Sequence, residues 1–320
     1  MPRAATKKAA ASQDADPQDE GGGQTAMNVE NDLFSTLDEE RDFYKILYYG
    51  KEGAIKTTCG STMANAGKIL VINVEGGLKK KALQGRGVNT ANIVIYPKPG
   101  QTPTRAGIVK AINRVAADLM QDPNSWYGIF LDSATEITQQ VLGAVQVRRV
   151  RRLKDQDKPH DPDFVDIADY GTMSKIVRDI LRLLRDIPCH VVISALERRD
   201  VDKDTGKPQY GPAISPALAT DIMGYVDMVL MNKAPDEDGP ARALCRANSR
   251  YRAKDRFDVL PRVLAEPTFD RVAGYIEGTL TEETDEIQKS LPSKAIKSQD
   301  KADEDDLADL DDEDDEDDED

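Results

Sequence analysis

Gly50-Lys51-Glu52-Gly53-Ala54-Ile55-Lys56-Thr57-Thr58 is the stretch whose reading decides the fold. It follows an apolar and aromatic run, Tyr44-Lys45-Ile46-Leu47-Tyr48-Tyr49, that reads as a buried strand. It leads into residues 57–66, which suit a helix. A strand, a glycine-containing turn and a helix N-terminus are the setting in which backbone N–H groups surround phosphate oxygens. The spacing follows G-x-x-x-x-G-K-S/T with one departure, because Ile55 stands at the second glycine position. A β-branched residue there resists the positive φ that glycine tolerates. On this reading Gly50, Gly53, Ala54, Ile55, Lys56, Thr57 and Thr58 cradle the phosphates of ATP. Lys56 reaches the β- and γ-phosphates, and the Thr57 hydroxyl ligates Mg²⁺. The plain alternative is an ordinary turn that happens to contain Lys-Thr.

Outward from this loop, strands and helices alternate. Residues 68–74 (KILVINV) and 93–96 read as the second and third strands, 127–131 (YGIFL) as the fourth and 190–195 (HVVISA) as the fifth. Ile108, Ile112, Val115 and Leu119 recur at helical spacing. So do Met173, Ile176, Val177, Ile180, Leu181 and Leu184, and that helix stops near Pro188. A short helix is expected after Pro216, then strand-like residues 228–231 and 241–247. The alternation predicts an α/β fold with a mostly parallel central sheet covered by helices on both faces. No internal repeat is visible.

Charge divides the chain. Its 320 residues carry 43 Lys+Arg against 58 Asp+Glu, a formal net charge of -15. Residues 303–320 hold fifteen of those acids and no base, so the remainder balances at 43 of each sign. The acidity therefore describes a tail and says nothing against a polyanion-binding body. Residues 1–30 and 281–320 are expected to be disordered, flanking an ATPase core at 31–280. No stretch approaches the roughly 18 apolar residues of a membrane span. Lys7 and Lys8 have no apolar segment behind them, as a secretory signal would require. Cys59, Cys189 and Cys245 are too few and too scattered for a disulfide framework or a zinc pattern. A soluble protein of a reducing compartment is the expectation. His190 and Trp126 read as packing residues.

Two carboxylates extend the phosphate reading. Ile129-Phe130-Leu131-Asp132-Ser133 is an apolar strand ending in an acid, and Asp132 would support Mg²⁺ through a water. Its alternative is a helix N-cap at a strand end. Val71-Ile72-Asn73-Val74-Glu75-Gly76-Gly77-Leu78 puts Glu75 at the C-terminal edge of a parallel strand, where ligands collect. There it would deprotonate an attacking water; otherwise it is a solvated loop acid. The run from Lys68 to Leu119, followed by YGIFLDSATEI, resembles the ATPase core of RecA. It is closest to the single-domain phage RecA-like ATPases that act as single-strand annealing recombinases. The likeness covers roughly residues 43–267.

The resemblance implies that Lys56, Thr57, Glu75 and Asp132 take the phosphate, metal, catalytic and metal-supporting roles. Ala195 falls where the family has a sensing polar residue, which leaves Ser194 or Glu197 for that task or the task lost. The family contacts single-stranded DNA through two loops. The first region here holds Arg148, Arg149, Arg151, Arg152 and Lys154; the second runs from Arg198 and Arg199 through Lys203 and Lys207 to Tyr210. Flexible basic loops neutralise phosphates, and Tyr210 or Phe164 would stack on a base. The alternative for the arginine run is a solvated helix face pairing with Asp155 and Asp157. Lys254 and Arg256 match cations that reach a neighbouring subunit's ATP. The implied protein is a cytoplasmic homo-oligomer, ring or filament, with ATP at its subunit interfaces. It would act in phage recombination or replication alongside single-strand-binding or replication proteins. A hexameric helicase-type motor and a non-hydrolysing ATP- and DNA-binding scaffold are the rivals.

Overall fold

The computed structural model describes residues 41–201, 206–237 and 239–292. Phe43 opens the compact unit that carries the sheet. Six strands run parallel in its centre: β1 (Lys45–Gly50), β2 (Ile69–Asn73), β3 (Ile93–Tyr96), β4 (Gly128–Asp132), the first half of β5 (His190–Val201) and β7 (Met228–Lys233). Their spatial order is β7-β1-β5-β4-β2-β3, and β8 (Arg242–Leu244) and β10 (Val263–Ala265) extend it antiparallel beyond β7. Successive side chains of a strand point to opposite faces, so each central strand feeds two cores. On one side Leu47, Tyr49, Ile72, Leu131 and Ile193 meet the helices α3 (Arg105–Gln121), α4 (Ala134–Asp155), α5 (Ile167–Asp186) and α6 (Pro216–Tyr225). On the other, Ile46, Tyr48, Val71, Phe130 and Val192 meet α1 (Lys56–Ser61) and α7 (Phe269–Ile276). Burial on both faces is why these strands read as continuous apolar runs. The expected parallel α/β sheet is the one found.

Four elements depart from expectation. The helix expected over 57–66 is α1 followed by a 3₁₀ turn, Thr62–Asn65. There the Thr62 hydroxyl donates to the Cys59 carbonyl and accepts from the Phe269 N–H, which ties the turn to α7. β5 continues past residue 195 to Val201 and pairs with β6 (Pro208–Pro212) as an antiparallel ribbon, Arg199 opposite Tyr210. The basic segment at 148–154 is not a loop but the last turns of α4. Ser133 caps that helix by accepting from the Glu136 N–H, and Glu136, Arg152 and Lys154 suit its dipole. Order also passes residue 280: Asp285 caps α8 (Glu286–Lys289) and bonds Arg271 and Tyr275. Residues 1–30 and 293–320, expected to be disordered, and residues 31–40, expected to belong to the core, lie outside the described residues. Among the described residues no helix is long and apolar enough to cross a membrane.

Candidate active site

The loop after β1 keeps the shape that Ile55 argues against. Ile55 sits at φ 49° and ψ 17°, the left-handed region, and Gly53 at φ 75°. That conformation costs a β-branched residue about 1–2 kcal/mol, held by the packing of its neighbours. Gly50 backs against β7, where an added Cβ would lie 2.2 Å from the Asn232 carbonyl oxygen. The Asn232 side-chain amide in turn donates to the Ala54 carbonyl at 3.3 Å. Lys56 folds back inside the turn, its Nζ donating to the Gly50 carbonyl at 2.8 Å and the Lys51 carbonyl at 2.7 Å. Burial lowers its pKa, against the opposing pull of Glu75, Asp132, Glu52 and Glu197.

Sheet register assembles the rest. Asn73 lies opposite Asp132 and Leu131 opposite Ile193, so Glu75, Asp132 and Ser194 reach one edge together. The Thr57 hydroxyl donates to Asp132 Oδ2 at 3.0 Å, and the Ser194 hydroxyl to Oδ1 at 2.5 Å. Asp132 is 1% exposed. Burial raises its pKa, and the Ser194 and Thr57 hydrogen bonds work the other way. The backbone N–H groups of Val74 and Glu75 both donate to the Asp132 carbonyl, at 2.7 and 3.1 Å, and pin the Glu75 turn beside β4. The Glu75 side chain is exposed and lines a cleft of about 310 Å³ with Lys56, Thr57, Thr58 and Asp132.

Several residues of this edge escape a reading of the sequence alone. Lys79 and Arg86, flanking the short helix α2 (Lys80–Gln84), line the same cleft. Ser194, a candidate sensor, spends its hydroxyl on Asp132 instead, while Ala195 is fully buried. Glu197 lines a second cleft of about 400 Å³, on the other side of the loop, with Lys51, Asn232 and Tyr251. Burial raises the Glu197 pKa against the pull of Lys51, Lys56 and Arg250. Strand ends that meet only through register leave no mark at fixed sequence spacing.

The cations divide sharply. Arg149 is committed internally: it pairs with Asp169 at 2.8 Å, donates to the Phe164 carbonyl and lies over the Phe164 ring. Asp169 is therefore its partner, and not Asp155 or Asp157. Arg148, Arg151, Arg152 and Lys154 are exposed on α4. Arg198 pairs with Asp200 and donates to the Ile214 carbonyl, whereas Arg199 is exposed on the ribbon. Tyr210 stacks near Tyr251 with ring centroids 5.2 Å apart, and Arg250 lies 5.0 Å over its ring. Lys203 lies outside the described residues; Lys207 is exposed. Lys254, in β9 (Lys254–Asp255), donates to the Met223 and Val226 carbonyls at the end of α6. Arg256 pairs with Asp227 at 2.7 Å. Both point toward the N-terminal edge of the sheet, away from their own chain's phosphate loop, because β9 pairs with the start of β7.

The crystal structure of the RadB recombinase is similar over 65% of this chain and 81% of its own, at 16% identity and a TM-score of 0.38. That of a KaiC-like protein from the hyperthermophilic archaeon Pyrococcus horikoshii OT3 is similar over 70% of this chain and 90% of its own, at 10% identity and a TM-score of 0.36. No curated protein matches the chain in sequence. The AAA domain family, AAA_24, matches residues 42–257, which takes in the phosphate loop, Glu75, Asp132 and Ser194. With more than half its length in that match, this chain belongs to the AAA domain family.

Proposed function

We propose that the chain is a Mg²⁺-dependent ATPase that binds single-stranded DNA as a homo-oligomer and promotes strand annealing or exchange. One observation carries the nucleotide reading: Thr57, Asp132 and Ser194 form one hydrogen-bonded edge beside a turn whose own carbonyls hold Lys56. Among the described residues no three His, Cys, Asp or Glu side chains form a metal cage. A lone hydroxyl and carboxylate 3.0 Å apart suit Mg²⁺, which keeps several waters and takes further ligands from phosphates. Thr57 and Asp132 would hold it. When bound it neutralises charge on the phosphates.

The chain's own groups then do the remaining work. Lys56 exchanges its two turn carbonyls for phosphate oxygens. Ser194 and Thr57 support the ionised form of Asp132 against its burial. Glu75 orients the attacking water and accepts its proton. Arg148, Arg151 and Arg152 on α4, with Arg199, Lys207 and Tyr210 on the ribbon, offer the DNA surface; Arg149 does not. A role for Lys254 and Arg256 on a neighbour's phosphates requires an interface through the N-terminal edge of the sheet. Action in a phage recombination or replication setting belongs to this proposal.

Steady-state ATP turnover, with and without a single-stranded oligonucleotide, tests it. Glu75→Gln should keep ATP binding and lose turnover by about 10²-fold or more. Parent-rate hydrolysis by Glu75→Gln removes that role, and an inactive parent that binds both ligands is a scaffold. Replacing Arg148, Arg151 and Arg152 with Ala should flatten the salt dependence of DNA binding, by roughly 0.7 in log–log slope for each DNA phosphate no longer neutralised.

A further inference from the structure

A second cavity lies away from the phosphate loop, between α3 and α4. It holds about 800 Å³, with Val109, Val141 and Ala144 on its walls and Arg105, Lys110 and Arg148 around its rim. All three rim cations are exposed, and among the described residues none of them forms an ion pair or a hydrogen bond. An open apolar trough with an unpaired basic rim fits a segment that carries apolar side chains among acids. The chain contains one. Leu307 and Leu310 are the only large apolar residues in 303–320, and Asp305, Asp306, Asp309 and Asp311 surround them.

We propose that residues 303–312 occupy this trough in the same molecule, Leu307 and Leu310 inside it and their acidic neighbours on Arg105, Lys110 and Arg148. The three-residue spacing places both leucines on one side of a helical turn. Charge selects this segment: no other part of the chain concentrates acids around a leucine pair to the same degree. Reach permits it. Pro292, the last described residue, lies beside Gly239 at the β8 side of the sheet. The whole eight-strand path of the sheet measures about 34 Å at ~4.8 Å per strand. The fifteen residues from Pro292 to Leu307 span up to about 50 Å. A tether of that length gives a local concentration on the order of 1 mM. Even a docking constant of ~0.1 mM would then keep the trough filled about nine-tenths of the time. Because Arg148 belongs both to this rim and to the DNA surface, docking would withdraw it from nucleic acid. The trough, the charges and the reach do not depend on the ATPase reading.

Hydrogen exchange on the full-length protein tests the proposal at low salt. The comparison variant carries Leu307→Ser and Leu310→Ser, which keeps every carboxylate. Amides at 105–113 and 140–148 should exchange about tenfold slower in the parent than in that variant. High salt should narrow the gap. Ala144→Arg, on an exposed helix position, should match the serine variant while its near-ultraviolet dichroism and melting remain those of the parent. Equal exchange in parent and serine variant would falsify the proposal. Protection that grows with protein concentration assigns the trough to a second copy and overturns it.

Discussion

Lys45 and Lys56 are two buried lysines, 8% and 9% exposed, at opposite ends of β1 and its turn. Each ammonium donates to two backbone carbonyls: Lys45 to Ile187 and Cys189, both at 2.6 Å, and Lys56 to Gly50 and Lys51. Their surroundings differ. Lys45 closes the junction between α5 and β5, and burial pushes its pKa down to about 8 in spite of Asp227 and Asp186. Lys56 faces a cleft whose walls carry Glu75, Asp132 and Glu52. The acceptors of Lys45 end core elements, whereas those of Lys56 belong to a turn beside open space. Hydrogen-bond count alone would not distinguish them.

Exchanging the two roles gives the largest expected effect. Lys56→Ala should reduce nucleotide affinity by on the order of 10²-fold or more and leave the melting temperature close to the parent's, since charged hydrogen bonds to phosphate are lost. Lys45→Met should do the reverse, with affinity kept and stability changed. Isothermal titration and thermal melting on both variants would separate them, and a Lys45→Met protein unable to bind nucleotide would collapse the distinction.

The pH dependence of Lys45 sharpens it. Its folded pKa is near 8, against 10.5 when exposed, so the unfolded chain binds more protons across that window. Stability should therefore rise with pH from about 8 to 10.5, by up to roughly 3 kcal/mol from this group. Chemical denaturation along a pH series, parent minus Lys45→Met, isolates the contribution. A difference that falls with pH would put the sign wrong.

Smaller effects probe how rigidly the Lys56 end is built. A Cβ on Gly60 would come within 2.6 Å of the Phe130 ring, so Gly60→Ala should lift α1 from β4. A loss of about 1–3 kcal/mol in unfolding free energy is expected, with weaker nucleotide binding. Ile55→Gly removes left-handed strain but adds chain entropy and gives up some apolar packing. Unfolding free energy should stay within about 1 kcal/mol of the parent, and nucleotide affinity should be equal or higher. A tenfold drop in affinity would mean that the isoleucine side chain itself shapes the cradle.

The legible part of the site is the part built from neighbours in sequence. Gly50 through Thr58 can be read as a phosphate turn because a turn is local, and Glu75 and Asp132 because each ends an apolar strand. The basic segment at 148–154 reads as a loop on its charge, although it continues an unbroken run of helix-compatible residues from the Ser133 cap. Its arginines draw attention as charge, whereas Ile137, Val141 and Val145 set its conformation. Arg149 shows the same gap: four clustered arginines look alike until Asp169 arrives from another helix to bury one of them.

The amino-acid sequence by itself determined a parallel α/β fold, the motif of a phosphate turn and an acid-rich stretch at 303–320. Those features rest on short-range physics: side-chain period, turn chemistry and charge density. Only the tertiary structure decided which polar groups share the site. Strand register brought Ser194 to Asp132 and turned Ala195 into the core, and packing around the turn held Ile55 at a positive φ. Such pairings depend on elements some sixty residues apart, such as Ser194 and Asp132, and contacts of that range are selected by the burial of whole strands.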